Sequence, residues 1–115
     1  MSDWLAVCAL DRVPVGRGVC ALVDGQQVAI FRTGVGTLYA VGNRDPFSGA
    51  MVLSRGILGT RGDRPTVASP MFKQVFDLET GVCLDEPAVT IPVHDVRLHE
   101  DVVEVDRRTA DRLAG

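Results

Sequence analysis

Apolar residues occur along this chain in short runs, and turn-forming residues separate the runs. The first clear runs cover residues 18–23, 28–32 and 38–41. Asp24-Gly25 stands between the first two, and this dipeptide is typical of a two-residue hairpin turn. Further runs cover residues 66–68, 75–78, 82–84, 95–98 and 102–105. Many short strands at short spacing predict an all-β domain, either a β-sandwich or a partly open barrel of antiparallel strands.

Helical patterns are scarce in the same sequence. Residues 48–53 and 109–113 are each predicted to form one helical turn, and residues 99–101 are predicted to form a hairpin turn. Because 115 residues are the usual size of one domain, we expect a single domain over residues 1–115. Residues 106–115 are expected to form a loose or short helical tail of that domain.

The segment of residues 42–65 differs from the rest of the chain. It contains five glycines and two prolines, which predict a long loop. A loop of this length is uncommon in a compact domain and usually has a function. Some of its apolar residues must pack on the domain, while others are available to form a surface for a partner. These apolar residues are Phe47, Met51, Val52, Leu53, Ile57 and Leu58.

Composition and charge exclude several classes of protein. Apolar residues make up 46% of the chain, which is normal for a globular protein and argues against disorder. The formal net charge of −3 disfavours general binding to nucleic acid. No apolar run approaches the stretch of about 20 residues that a membrane span needs. The N-terminus shows no secretory signal, so a cytoplasmic location and no membrane association are expected.

The charges are distributed unevenly along the chain. Residues 43–65 contain four arginines and two aspartates, whereas residues 66–106 contain nine acidic residues and two basic ones. Two interpretations remain open at this point. The charges belong either to ordinary solvated faces or to a docking surface with a defined sign.

The side chains that most often perform chemistry form no recognisable constellation. Cys8, Cys20 and Cys83 lack a C-x-x-C spacing and lie between apolar neighbours, so they are predicted to be buried thiols. His94 and His99 are five residues apart, so on one strand they would point to opposite faces and would not bind one metal ion together. Each histidine is expected to face solvent or to form hydrogen bonds. The sequence contains no nucleotide-binding motif.

Residues 69–81 read S-P-M-F-K-Q-V-F-D-L-E-T-G, and this segment resembles a motif of a known family. Rieske-type domains have C-x-H in one loop and C-x-x-H-G-W-x-F-D-x-x-T-G in a second, and the two loops hold a two-iron cluster through two thiolates and two imidazoles. Residues 69–81 are similar to the second of these motifs. The resemblance implies that Asn43 and Asp45 stand at the ligand positions of the first loop. Ser69 and Phe72 would stand at those of the second.

The resemblance therefore implies a Rieske-like domain without cluster ligands. An amide, a carboxylate, a hydroxyl and a phenyl ring replace the thiolates and imidazoles that such a cluster requires. We expect Phe72 to fill the vacated space or to stack at the tip of the loop. The three cysteines lie outside both loops, so no cofactor is expected in this chain.

Residues 43–47, 52–59 and 67–74 carry a closer resemblance within this superfamily. In these segments the chain resembles the small subunits of assimilatory NAD(P)H-dependent nitrite reductases. The resemblance implies a large-subunit partner that contains FAD, sirohaem and an iron–sulfur cluster. That partner would reduce nitrite to ammonium with electrons from NAD(P)H. This chain would be non-catalytic by itself, and would dock on the large subunit and support it.

The loops supply the candidate residues for docking. Aromatic residues and arginine often dominate the energy of an interface, although apolar loop residues such as Phe47, Met51 and Leu53 also serve to hold a loop on the domain. Two other functions are considered: a stand-alone cluster-free module for protein binding or sensing, and a Rieske ferredoxin, against which the missing ligands argue. The predicted partner-docking residues are Arg44, Phe47, Met51, Arg55, Met71, Phe72 and Lys73.

Overall fold

The computed structural model describes residues 3–107. The predicted helical turn at residues 109–113 lies outside this range, as does nearly all of the predicted tail. The all-β class is confirmed, because the described residues form ten strands and two 3-10 turns, at Leu10–Arg12 and Leu53–Arg55. In chain order the strands are β1 Trp4–Ala9, β2 Arg17–Val23, β3 Gln26–Arg32, β4 Leu38–Gly42, β5 Ile57–Arg61, β6 Arg64–Ala68, β7 Val75–Asp77, β8 Val93–His94, β9 Val96–His99 and β10 Val102–Asp106.

The strands form three antiparallel sheets. The terminal sheet has the order β1-β10-β9, the central sheet β2-β3-β4-β8, and the apex sheet β5-β6-β7. The three sheets do not close into a barrel. Both helical elements among residues 3–107 are only three residues long, so neither is long enough to cross a membrane.

Strand β3 lies between two hydrophobic cores. Ala29 and Phe31 face the core on the side of the apex sheet, whereas Val28 and Ile30 face the core on the side of the terminal sheet. This alternation follows from the two-residue period of a strand. The first core also contains Val41, Leu53, Val67, Phe76, Leu78, Cys83 and Ile91, and the second contains Val13, Val23, Ala40, Val103 and Val105.

Two predicted hairpins are confirmed. Asp24 and Gly25 have φ angles of 51° and 81° and join β2 to β3, with Val23 opposite Gln26. Positive φ at both central residues is the signature of a type I′ turn, whose twist matches that of the flanking strands. Glu100 and Asp101 form the same kind of turn between β9 and β10, with φ angles of 51° and 64°.

The prediction of one long loop over residues 42–65 is wrong in its second half. Residues 57–61 form β5 and pair with β6, so the loop covers only residues 43–56. Gly62, which suggested a loop, has a φ of 66° and makes the tight turn between these two strands. The predicted helical turn at residues 48–53 is also absent. The Asn43 carbonyl instead accepts a 3.0 Å hydrogen bond from the backbone N–H of Leu53, a pairing that no helix would make.

Candidate functional site

Two loops lie next to each other at one end of the molecule. The first loop, residues 43–56, connects β4 to β5, and the second loop, residues 69–74, connects β6 to β7. Asn43 begins the first loop and is 1% exposed. Its side-chain Nδ2 donates to the Met51 carbonyl at 3.1 Å and to Gln27 Oε1 at 3.0 Å, while its Oδ1 accepts from the Ser54 N–H at 2.7 Å. The buried Asn43 amide thus links two points of the first loop to each other and to β3.

Asp45 connects the first loop to the second. Its carboxylate is fully buried, and Oδ1 accepts a 2.9 Å hydrogen bond from the Phe47 N–H within the same loop. Oδ2 accepts a 2.5 Å hydrogen bond from the hydroxyl of Ser69 in the second loop. Burial raises the pKa of the Asp45 carboxyl, but hydrogen bonds from Ser69, Phe47 and Ser48 outweigh burial and lower this pKa below its ordinary value. The carboxylate is therefore held in its ionised form.

Ser69 organises the second loop. The residue is 1% exposed, and its hydroxyl oxygen also accepts a 3.2 Å hydrogen bond from the Met71 N–H. Its backbone N–H donates to the Gln74 carbonyl at 2.9 Å, and its carbonyl accepts from the Lys73 N–H at 3.0 Å. These bonds close the loop into a tight turn, so that residues 70–73 project away from the body of the domain.

Phe72 does not fill a space between the loops. Its side chain is 58% exposed, so the first of the two alternatives given for it, filling a vacated space, is wrong, while a position at the tip of the loop agrees with this exposure. The reason is that the hydrogen-bonded side chains of Asp45 and Ser69 already occupy the contact between the loops. The turn made by Ser69 directs Phe72 outward instead.

The Phe-Asp and Thr-Gly residues that follow the second loop form a structural turn. Oδ1 of Asp77 accepts from the N–H groups of Glu79 and Thr80 at 2.8 and 3.3 Å, and Oδ2 accepts from Arg64 Nε at 2.7 Å. Gly81 has a φ of 77°, and a Cβ atom there would collide with the Ile91 carbonyl. This half of the motif therefore maintains the fold and does not form a reactive site.

The residues of the two loops do not fit an iron–sulfur cluster. Asn43, Asp45, Ser69 and Phe72 offer no thiolate and no imidazole, which such clusters require. Among residues 3–107, no group of three or more histidine, cysteine or acidic side chains is placed to hold a metal ion. The two loops are instead joined by a direct hydrogen bond between protein side chains.

The cysteines differ in exposure. Cys83 is buried in the core, as predicted, but Cys8 is only partly buried and Cys20 is exposed, so the prediction of three buried thiols is wrong for Cys20. Cys20 lies on β2, at the edge of the central sheet, and its Sγ is 3.5 Å from Nδ2 of Asn43. A single thiol beside the first loop does not complete a set of cluster ligands.

The two histidines also have different environments. His99 is exposed, as expected, whereas His94 on β8 is 4% exposed and its Nδ1 has no hydrogen-bond partner within the described part of the chain. Of the two expectations for His94, exposure to solvent is therefore wrong, and a hydrogen bond at Nδ1 is absent among residues 3–107. Burial lowers the pKa of His94, which favours a neutral ring.

Most of the predicted docking residues lie on the outer surface of the loops. Phe47 is the exception: it is half-buried, and its ring centroid lies 6.2 Å from that of Phe76 in the core. Its inward face therefore holds the first loop on the domain, which was the alternative considered for it. We define the apex surface as the other six residues, all exposed: Arg44, Met51, Arg55, Met71, Phe72 and Lys73.

The cations of the apex surface, like Arg12, Arg17 and Arg32, form no ion pair with a carboxylate of residues 3–107, whereas several other arginines do. Arg61 pairs with Asp85 at 3.2 Å, and Arg64 pairs with Asp77 at 2.7 Å. In contrast, no carboxylate of residues 3–107 lies within 4.0 Å of the charged groups of the three apex cations, which are Arg44, Arg55 and Lys73.

Ile57 is one of the apolar residues of the predicted long loop, but it is not among the seven predicted docking residues. It is 68% exposed and begins β5, one of the two edge strands of the apex sheet. Its backbone partner is Ala68, the residue directly before the second loop. The sequence placed Ile57 in a loop, and its outward orientation follows only once β5 is paired with β6.

An open, three-sheet β-domain with two adjoining loops at one end has the architecture of a Rieske-like protein. Residues 3–106 match the model of the Rieske-like [2Fe-2S] domain family, and the chain belongs to this family. The nitrite reductase (NADH) small subunit of Salmonella typhimurium is 41% identical over 106 residues, which cover 91% of this chain and 98% of the relative. A Mycobacterium tuberculosis structure described as an NADH-dependent nitrite reductase small subunit has a TM-score of 0.87 and 50% identity, over 91% of this chain and 95% of that one.

A third relative is much longer than this chain. The nitrite reductase [NAD(P)H] large subunit of Klebsiella oxytoca is 45% identical over 78 residues. The match covers 68% of this chain but only 8% of that large subunit. A segment similar to this domain is therefore part of a large subunit in that organism.

Proposed function

We propose that this chain is the small, non-catalytic subunit of a cytoplasmic NAD(P)H-dependent nitrite reductase, and that it docks on the large subunit through the apex surface. The observation that supports docking over electron transfer is the buried hydrogen bond between Asp45 and Ser69. At the place where a Rieske domain holds its cluster, this bond keeps the loops together and leaves Met71 and Phe72 exposed. Exposed apolar residues on a rigid support suit an interface.

The chemistry then belongs to the large subunit. In this proposal the large subunit binds FAD, sirohaem and an iron–sulfur cluster, and it reduces nitrite to ammonium with electrons from NAD(P)H. The present chain supplies no redox centre, because its loops offer only amide, carboxylate, hydroxyl and apolar side chains. Its contribution is to stabilise or to regulate the partner.

The Klebsiella large subunit supports this partnership. Part of that protein is similar to 68% of the present chain, so the two kinds of domain occur within one polypeptide there. Domains joined in one chain work at a high effective concentration of each other. We infer that the separate chain performs its function at the same close range, in a complex.

Co-purification tests this proposal. An affinity-tagged chain is isolated from cells of its own organism grown on nitrate, and the captured protein is identified by mass spectrometry and by its flavin and sirohaem absorption. We expect a flavin- and sirohaem-containing chain in stoichiometric amount, and no iron in the small chain after separation. Recovery of a different partner would favour the alternative of a stand-alone binding or sensor module. Stoichiometric iron in the small chain would favour an electron carrier.

A further inference from the structure

Lys73 occupies an unusual position for a lysine. It is the only lysine of the chain, and its backbone φ is 64°, in the left-handed region that favours glycine. The other non-glycine residues with positive φ among residues 3–107 are Asp24, Glu100 and Asp101, which all lie in two-residue hairpin turns. A lysine has no short polar side chain to stabilise this conformation locally, so the position costs folding free energy.

Nothing within the described chain compensates for this cost. The backbone N–H of Lys73 donates to the Ser69 carbonyl, a bond that glycine would form equally well. The side chain is exposed and has no ion pair with any carboxylate of residues 3–107. Backbone strain that persists without local benefit is typical of functional positions. Lys73 is therefore a candidate for a contact outside the chain.

The surroundings of Lys73 indicate what kind of contact this is. Met71 and Phe72, directly before it, are 49% and 58% exposed. Arg44 and Arg55 are further apex cations without a carboxylate partner in the described range. Two exposed apolar side chains followed directly by the unpaired cation Lys73 are complementary to a protein surface that offers an apolar pocket with an acidic residue at its rim.

We propose that Lys73 is kept in this strained turn to place its ammonium group against a carboxylate of the large subunit, beside the pocket that receives Met71 and Phe72. This inference rests on the proposed function, since it specifies the partner surface at the same site. The partner group is an Asp or Glu side chain, because these are the anions that a protein surface offers. Lysine meets such a group as a point charge, so its contribution depends on salt.

Lys73→Gly tests the inference, because relief of backbone strain should increase the stability of the fold, whereas loss of the charge should decrease the affinity for the large subunit. Relief of the positive φ should raise the unfolding temperature by about 4 °C, while loss of the ammonium should weaken binding to purified large subunit about tenfold at low salt. Raising the salt concentration should weaken the unmodified complex more than the variant complex. Lys73→Arg should retain most of the affinity, and Lys73→Glu should bind more weakly than Lys73→Gly.

Asp101→Gly is the matched control. Asp101 has the same φ of 64° but lies in the β9–β10 turn, so this variant should gain stability without losing affinity. If Lys73→Gly binds with unchanged affinity and salt dependence while the unmodified chain binds well, the role of Lys73 is refuted and the proposed function stands. If the unmodified chain does not bind the large subunit, both proposals fail. The inference would also be overturned if Lys73→Gly altered self-association of the chain and left its binding to the large subunit unchanged.

Discussion

The hydroxyl of Ser69 donates a 2.5 Å hydrogen bond to Oδ2 of Asp45, and both residues are buried. The two residues are 24 positions apart and belong to different loops. A cluster with two ligands from each loop would join the loops at this level in a Rieske electron carrier. Here a hydrogen bond between two side chains of the same chain joins the loops, and the surface above this bond is free for contacts.

Removal of the hydroxyl should destabilise the fold. Ser69→Ala removes a hydrogen-bond donor from a buried carboxylate, so we expect a loss of about 1–3 kcal/mol in the free energy of unfolding. Urea unfolding measures this loss. Thr80→Ala is the control, because the exposed Thr80 hydroxyl accepts only a local hydrogen bond from Val82 and its removal should cost less than about 0.5 kcal/mol. Equal losses in the two variants would show that the Asp45–Ser69 hydrogen bond contributes no more to the free energy of unfolding than the exposed local bond of Thr80.

Acid should weaken the fold through two buried carboxylates. In Asp45 and in Asp77, burial raises the pKa, but hydrogen bonds lower it by a larger amount. The pKa in the folded chain therefore lies below the ordinary value of 3.8. The unfolded chain then binds more protons at low pH. The stabilisation is present above about pH 4 and is lost as pH falls through the folded pKa values. Urea midpoints between pH 7 and pH 2.5 should show this decline, and Ser69→Ala should reduce it.

A separate effect of pH is expected from His94. Burial lowers its pKa below the ordinary 6.5, so the folded chain holds the neutral ring. For a base with a lowered folded pKa, the stabilisation is complete above the unfolded pKa and declines as pH falls below about 6.5. NMR titration of the His94 ring should give a pKa below 6.5. A pKa at or above this value would indicate that the ring has a partner that stabilises its charge.

The Thr-Gly turn should tolerate no side chain at its glycine. Gly81→Ala combines a φ of 77° with a collision at the Ile91 carbonyl, and we expect a loss of at least about 3 kcal/mol in the free energy of unfolding. Gly25→Ala provides the comparison, because Gly25 has a φ of 81° but no atom within 4 Å of the added Cβ. It should lose only about 1–2 kcal/mol. Similar losses would mean that the close packing at Gly81 relaxes without cost.

Phe72 should contribute strongly to binding and little to folding. Because its side chain is 58% exposed, Phe72→Ala should leave the free energy of unfolding within about 0.5 kcal/mol of the parent. Its affinity for the large subunit should fall by at least about 2 kcal/mol, or about 30-fold. Val35→Ala is the control, since Val35 is 81% exposed in the turn at the other end of β4. Normal binding by Phe72→Ala would exclude Phe72 from the docking site.

Local signals predicted the β2–β3 and β9–β10 hairpins and the second loop of this fold. Asp24-Gly25 determines its turn through its own backbone preferences, and the motif of residues 69–81 is contiguous. Strand β1 was not predicted, because its residues alternate poorly between apolar and polar. Its pairing is fixed by β10, with Trp4 opposite Asp106. A pairing so distant in sequence leaves no local signal.

The surface was harder to predict than the buried network. The motif located Asp45 and Ser69, but residue types do not show that the two side chains bond to each other and leave Phe72 outside. Ile57 was assigned to a loop because the glycines around it outweighed its β propensity. Its exposure depends on which face β5 presents, and this is decided by its pairing with β6.

Amide hydrogen exchange of the chain, with and without the purified large subunit, tests the docking account most directly. We predict that binding slows exchange in the first loop, residues 43–56, and in the second loop, residues 69–74. Exchange at the turn of residues 33–37 and in β9 should not change. Protection confined to β9 or to the turn of residues 33–37, with both loops unaffected, would contradict docking through the apex surface.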